Sequence, residues 1–235
     1  MKQQIIEFLK AQLGERPAIL GLSGGVDSAV VAALLAEAIT PERVYTYHLP
    51  SHTNTLVDLK DAKELARTLQ VHFETIPIDG ILSAYAVMNP DLSQLALGNL
   101  KARIRMSLLY TRANLQNGLV VGTGNKTELQ LGYFTKYGDG GVDILPIAHL
   151  FKTEIWELAK ELNLPETFIS KAPSAGLWEG QTDEAELGVT YAVADQILQA
   201  IEQEQPLTTF NADAVQRVQY LMQLGKHKQA LPPHL

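Results

Sequence analysis

The chain has no cysteine among its 235 residues. That excludes disulfides, thiolate metal sites and every cysteine nucleophile, and with them a secreted fold that depends on disulfides. Long apolar runs are also missing. The longest, around Ala29–Ile39, is too short to span a bilayer and contains Glu37. The opening residues, MKQQIIEFLK, mix polar and apolar side chains without an unbroken apolar segment. No signal peptide is expected there, and the cytoplasm is the expected compartment. Basic charge is scarce too: 19 Lys and Arg face 26 Asp and Glu, a net charge of −7. General nucleic-acid binders carry a basic surface, so neither nucleic acid nor a membrane is expected as a partner. An acidic chain that holds an anion must gather cations locally or recruit a divalent metal ion.

An apolar fraction of 46% supports a full core. The first half alternates strand-like and helix-like segments. Strands are predicted at Ala18–Leu22, Val44–Leu49, His72–Ile78 and Leu119–Val121, and helices at Ser28–Ile39, Thr55–Leu69 and Ser93–Gln116. This βαβα rhythm predicts an α/β fold of three layers, α/β/α, around an open, twisted, mostly parallel sheet. Ligands then bind beyond the carboxyl ends of the strands. In the second half, Tyr133–Asp143 is glycine-rich and reads as a flexible loop. A helix is predicted at Thr153–Leu162, and Lys171–Thr182 reads as an irregular, exposed lid. Two closing helices, Asp183–Gln203 and Ala212–Leu224, make a C-terminal helical extension. Repeats and linkers are absent, so one unit over residues 1–235 is expected.

The most informative segment runs through Gly21, Leu22, Ser23, Gly24, Gly25, Val26, Asp27 and Ser28, between a strand and a helix. A glycine pair there lets the backbone bend tightly and brings its N–H groups close to a ligand. The helix N-terminus behind it adds positive potential. The combination predicts a phosphate cradle. No Gly-Lys-Ser/Thr closes the loop, so it is not a Walker A loop. Two serines, two glycines and an aspartate suit a pyrophosphate, with Asp27 available to Mg²⁺. Two other readings of these letters stay open. One is a tight turn with a serine N-cap. The other is a Gly-x-Ser-x-Gly nucleophile elbow at Gly21–Gly25, with Asp143 and His149 as later triad partners.

Ser23–Ser28 resembles the pyrophosphate loop of the N-type ATP pyrophosphatases. Downstream segments are similar to NAD synthetase within that superfamily: 121–128 (VGTGNKTE), 132–143 (GYFTKYGDGGVD), 171–175 (KAPSA) and 180–184 (GQTDE). The resemblance runs from the first strand to His227 and Lys228. It implies that Gly21–Ser28, Thr123, Lys152 and Ser174 bind ATP, and that Asp27 and Glu128 hold Mg²⁺. It implies that Arg103, Lys136, Asp143, His227 and Lys228 bind nicotinic acid adenine dinucleotide (deamido-NAD). A homodimer is implied as well, with the helix bearing Arg103 at its interface.

Read alone, several of these residues are bland. Glu128 is a first-turn carboxylate meeting the helix dipole, Lys152 a solvated lysine and Ser174 part of a turn. Arg103, with Lys101, Arg105 and Arg112, reads as a solvated charged face, and His227 as a surface histidine. Some relatives carry Asp where Gly176 stands, so no role of that carboxylate transfers here. His48, His52, His72, His149 and His234 lack metal-ligand spacing, and no zinc is expected. Both tryptophans read ambiguously: Trp156 fits a helix core face, and Trp178, in the irregular segment, could cap a ligand.

The implied reaction converts a carboxylate to an amide. The acid attacks the α-phosphorus of ATP, pyrophosphate leaves, and ammonia attacks the acyl-adenylate to give NAD and AMP. No side-chain nucleophile is required; positioning and electrostatics would carry the catalysis. The loops at 133–143 and 171–182 are expected to close over the adenylate. Without cysteine, and with the length taken up by the synthetase, a glutaminase unit is not expected. The nitrogen should come as free ammonia or from a separate protein. Alternatives are another AMP-forming ligase of the superfamily, such as a tRNA-modifying enzyme, and a non-catalytic nucleotide-binding module. The acidic charge and absent cysteines weigh against tRNA thiolation, and the presence of both Asp27 and Glu128 favours chemistry.

Overall fold

Alternation along the first strand sets the architecture. Ala18 and Leu20 point into one apolar cluster and Ile19 into another, and all three are fully buried. A strand buried on both faces needs a layer of helices on each. The structure, a computed structural model, describes residues 1–178, 180–230 and 234. Four strands, β1 (Ala18–Gly21), β2 (Val44–His48), β3 (His72–Thr75) and β4 (Leu119–Val121), form a parallel sheet in the order β3-β2-β1-β4. Ala18 lies opposite both Val44 and Leu119. A single parallel bridge, Val121 to Ile144, extends the sheet beyond β4.

One face is covered by α1 (Lys2–Leu13), α2 (Val26–Ala38) and α3 (Leu56–Leu69), the other by α4 (Asp79–Met88) and α5 (Gln94–Gln116). After β4 come α6 (Lys126–Leu131), α7 (Lys152–Glu161) and α8 (Glu166–Ser170). The chain closes with α9 (Asp183–Leu187), α10 (Tyr191–Glu202) and α11 (Ala212–Gly225). α10 and α11 pack with Leu131 of α6 and Phe151 as a separate apolar cluster. α2 is buried nearly all round, held between the sheet, α1, α3 and α7. Each of its fully buried Val and Leu side chains contributes roughly 1.5–3 kcal/mol.

The parallel sheet and flanking helices agree with the sequence reading; several boundaries differ. The predicted Asp183–Gln203 helix is two helices, because Gly188 turns left-handed at the end of α9 and Thr190 caps α10 anew. α2 starts at Val26, not Ser28, which places Asp27 in its first turn. β3 stops at Thr75, short of Ile78. α1, α4 and α8 were not anticipated. The 133–143 segment is irregular as expected, but it is closed on itself. Thr135 N donates to Asp139 Oδ1 at 2.9 Å and Gly138 N to Thr135 O at 2.9 Å. The predicted lid is irregular over its described part; its residue 179 lies outside the described residues. Among the described residues no helix is long and apolar enough to cross a membrane.

The chain path fixes where a ligand belongs. From β1 it steps outward to β2 and β3, then returns to β4 on the other side of β1. The connections therefore leave in opposite directions at the carboxyl ends of β1 and β4, which opens a crevice there.

Candidate active site

Two loops border that crevice, Leu22–Gly25 after β1 and Gly122–Asn125 after β4. In the first, Gly24 has a left-handed φ of 89°, and a Cβ there would lie 2.7 Å from the Asp58 carbonyl oxygen. Glycine is needed for both conformation and space. The serine hydroxyls brace the loop from within. Ser28 Oγ donates to Gly25 O at 2.9 Å and accepts from Ser23 N at 3.2 Å, while Gly25 N donates to Ser23 Oγ at 3.2 Å. Lys171 leans over from the irregular segment, paired with Asp58 and 3.4 Å from Gly24 O.

Behind the loop, three charged side chains meet. Lys152 Nζ lies 2.5 Å from Asp27 Oδ2 and 3.5 Å from Glu128 Oε1, and the lysine side chain is only 3% exposed. Asp27 comes from the first turn of α2, Glu128 from α6 and Lys152 from the start of α7. Asn125 joins the carboxylates. Its Nδ2 donates to Asp27 Oδ1 at 2.9 Å, and its Oδ1 caps α6 by accepting from Glu128 N at 2.9 Å. Glu128 Oε2 accepts in return from Asn125 N at 3.3 Å. The first-turn reading of Glu128 is therefore correct, and its other oxygen still faces the crevice.

A further layer orients the lysine. Thr127 Oγ1 accepts from Lys152 N at 2.9 Å and donates to the buried Asp195 at 2.5 Å. Asp195 also accepts from Thr153 N at 2.9 Å, so it caps the helix that presents Lys152. The Tyr191 ring lies 5.1 Å from Lys152 Nζ, and Tyr191 O–H donates to Asp183 at 3.0 Å.

Burial opposes the charge on Lys152, but Asp27 and Glu128 outweigh it and hold the ammonium above the usual lysine range. Burial dominates at Glu128; with Lys152 only partly offsetting it and Asp27 adding repulsion, its carboxyl is pushed up to about 8. Burial also raises Asp183. This crevice is short of positive charge.

The other predicted residues form a second group. Arg103 Nε donates to Lys136 O at 3.4 Å, and Lys136 Nζ to His227 O at 2.6 Å. Lys228 Nζ donates to Gly132 O and Phe134 O, both at 2.7 Å. Gly132 and Gly225 pack back to back, each too close for a Cβ on the other, which seats the tail carrying His227 and Lys228. Asp143 stands outside this group, accepting from Val120 N at 2.8 Å and Tyr110 O–H at 3.1 Å. The nucleophile elbow is not assembled. Ser23 spends its hydrogen bonds on Ser28 and Gly25, and Asp143 on Val120 and Tyr110 rather than on His149. Ser174 Oγ accepts from Gly176 N at 3.1 Å. Thr123 lies half-buried in the loop after β4.

Asn125, Lys171, Asp183, Tyr191 and Asp195 were not singled out from the sequence. Asn125 left a local signal, an Asn-x-x-Glu capping box with Glu128, and Lys171 and Asp183 lie within the family-like segments 171–175 and 180–184.

The family model for NAD synthase matches residues 1–232. The chain belongs to the NAD synthase family. A Methanosarcina acetivorans NH(3)-dependent NAD(+) synthetase is 48% identical, the match covering 99% of this chain and 96% of that protein. Two solved structures resemble this fold over the whole chain and 96% of their own. The NMN synthetase of Francisella tularensis overlays with a TM-score of 0.92 at 37% identity. The NH3-dependent NAD synthetase of Campylobacter jejuni, in complex with nitrate, overlays with 0.86 at 35%. As a member of this family the chain is a ligase that uses ATP.

Proposed function

We propose that this NAD synthase family member amidates deamido-NAD with free ammonia, at the expense of ATP. The acid's carboxylate oxygen attacks the α-phosphorus, the bond to the β-phosphate bridging oxygen breaks, and pyrophosphate departs with that electron pair. Ammonia then adds to the acyl carbon and loses a proton, and the bond from that carbon to the oxygen on phosphorus breaks, so AMP leaves with the acid's attacking oxygen and NAD remains. The Gly21–Ser28 backbone and the α2 N-terminus receive the outgoing pyrophosphate. Thr123, Lys152 and Ser174 contact ATP, while Arg103, Lys136, Asp143, His227 and Lys228 hold the acid.

The observation that carries this reading is the convergence of Asp27 and Glu128 on Lys152 at the head of the phosphate loop. Both carboxylates already grip one cation, so the donor set suits a hard one. Among the described residues no third acidic or histidine side chain completes a metal cluster. Mg²⁺ accepts such a partial set because phosphate oxygens and water fill its remaining positions. When bound there it spreads the charge that grows on the departing pyrophosphate. Lys152, held between the same two carboxylates, would add positive charge beside the phosphates. Exposed Ile81, Tyr85, Val87, Met88 and Leu95 on α4 and α5 support the homodimer.

The test incubates the protein with Mg-ATP, ammonium and deamido-NAD. NAD, AMP and pyrophosphate are expected in equal amounts, with no product when glutamine replaces ammonium. ADP and phosphate, or no amide, would overturn the reading. The likeness to an NMN synthetase makes the mononucleotide acid an essential parallel substrate; a preference for it would move the acid assignment and leave the chemistry in place.

A further inference from the structure

Residues 174–178 form a strap with no secondary structure, yet side chains from elsewhere hold its backbone. Ala175 N donates to Asp183 Oδ1 at 3.1 Å and Leu177 N to Gln181 Oε1 at 2.7 Å. Gly176 O accepts from Thr53 Oγ1 at 3.2 Å, and Leu177 O from Lys101 Nζ at 2.7 Å. Gly98, one turn before Lys101 on α5, gives the strap room: a Cβ there would sit 3.2 Å from Leu177 and 3.3 Å from Trp178.

Lys101 is the unusual member. It is 1% exposed, and among the described residues it makes no ion pair. Its bonds go to Leu177 O and, at 3.0 Å, to Thr53 Oγ1. Burying an ammonium without a direct ion pair is costly, and burial with Arg105 nearby, only partly offset by the more distant Asp79, pulls Lys101 below the usual lysine range. A plain packing position would be served by a neutral side chain. The ammonium donates and never accepts, with up to three protons to place. Thr53 Oγ1 accepts from Lys101, and its own proton is then available to Gly176 O, while Ser51 Oγ at 2.9 Å can donate to the same oxygen. Lysine, threonine and strap carbonyl form a directed chain in which one bond strengthens the next.

The same helix holds the other walls. Arg105, four residues on and on the same face, donates to Leu49 O at 2.9 Å and to Asn54 Oδ1 at 3.1 Å, fixing the loop after β2. Arg103, on another face, reaches the 133–143 loop. At its near end the strap continues from Lys171, which touches the phosphate loop at Gly24 O. Ser174 lies between these two anchorages.

We propose that Lys101 is a positioning residue for ATP, which it serves by holding the 174–178 strap against α5 and the loop after β2. The assignment rests on the reading that Ser174 and the phosphate loop bind ATP. Lys101 itself touches no substrate; it acts through Leu177 and Thr53.

The test compares full-length wild type with K101M, T53V and T53S. Hydrogen exchange of the ligand-free protein reads the strap, and calorimetry reads ATP affinity without needing turnover. In K101M, exchange over 174–178 is expected to rise about tenfold or more, with β1 and β4 unchanged. Its ATP dissociation constant is expected to rise about tenfold while the KM for the acid stays within about twofold. T53V should move the same way, T53S should return to wild type, and the K101M/T53V double variant should be no weaker than K101M alone. Unchanged strap exchange in K101M, an equal loss for ATP and acid, or a T53S as weak as T53V would each overturn the proposal. If K101M does not fold, the T53V and T53S pair decides. Should wild type amidate neither acid, the proposed function fails, while exchange and calorimetry still judge Lys101.

Discussion

The two halves of the site hold their charges in opposite ways. In the crevice between β1 and β4, Lys152, Asp27 and Glu128 are paired with one another, largely buried and braced by Asn125, Thr127 and Asp195. In the second group, Lys136 and Lys228 spend their protons on backbone carbonyls, and among the described residues neither is ion-paired. Buried ion pairs are costly to break, so the first half is set before any ligand arrives. Partly exposed lysines on carbonyls are cheap to redirect, so the second half is free to adapt to an anionic ligand. On the proposed assignment, the ATP side is preorganised and the acid side adaptable.

The sharpest way to break this contrast is to remove one member of each half. D27A takes away a crevice carboxylate, and amide formation at saturating substrates is expected to fall by at least about a thousandfold. Substantial residual activity would mean the crevice is not the centre of reaction. K152M leaves two buried carboxylates facing each other, and chemical denaturation is expected to show a loss of about 3–5 kcal/mol. K136A, in the adaptable half, should leave the melting temperature nearly unchanged. It should raise the KM for the acid about tenfold with little effect on that for ATP. Equal effects on both substrates would erase the distinction.

The smallest effect concerns pH. Burial raises Glu128 from the ordinary 4.5 to about 8, so between those values the folded chain keeps a proton that the unfolded chain has lost. Its contribution to stability therefore falls as pH rises through that window. E128Q removes this dependence. Without ligands it should gain stability on wild type steadily between pH 5 and pH 8, measured by urea unfolding at each pH. Parallel stability curves would show that Glu128 is ionised throughout.

The same contrast divides what the sequence disclosed. The strands and the phosphate loop were legible because they are local: apolar runs bounded by turn residues, and a glycine pair before a helix. Helices were legible where their boundaries carry chemistry, as with Thr55 capping α3. α2 was harder, since burial on every side removes the periodicity that marks a helix edge. α4 and α8 lack strong boundary signals, and Gly188 splits what composition read as one helix. The paired crevice was not legible from residue types alone. Asn125 lies 98 positions from Asp27, and Lys152 lies 125 from it. Such pairings follow from strand order, which brings the ends of β1 and β4 together. Lys101 was hidden for another reason: a lysine among three arginines on one helix reads as a solvated face, and only its burial separates it from that group.

The most direct test of the account is exchange of labelled pyrophosphate into ATP without ammonia. If the crevice holds pyrophosphate while the acid takes the adenylyl group, exchange should appear only when Mg²⁺ and the acid are both present, and D27A should abolish it. Exchange that proceeds without the acid, or label that enters ADP and phosphate instead, would contradict it.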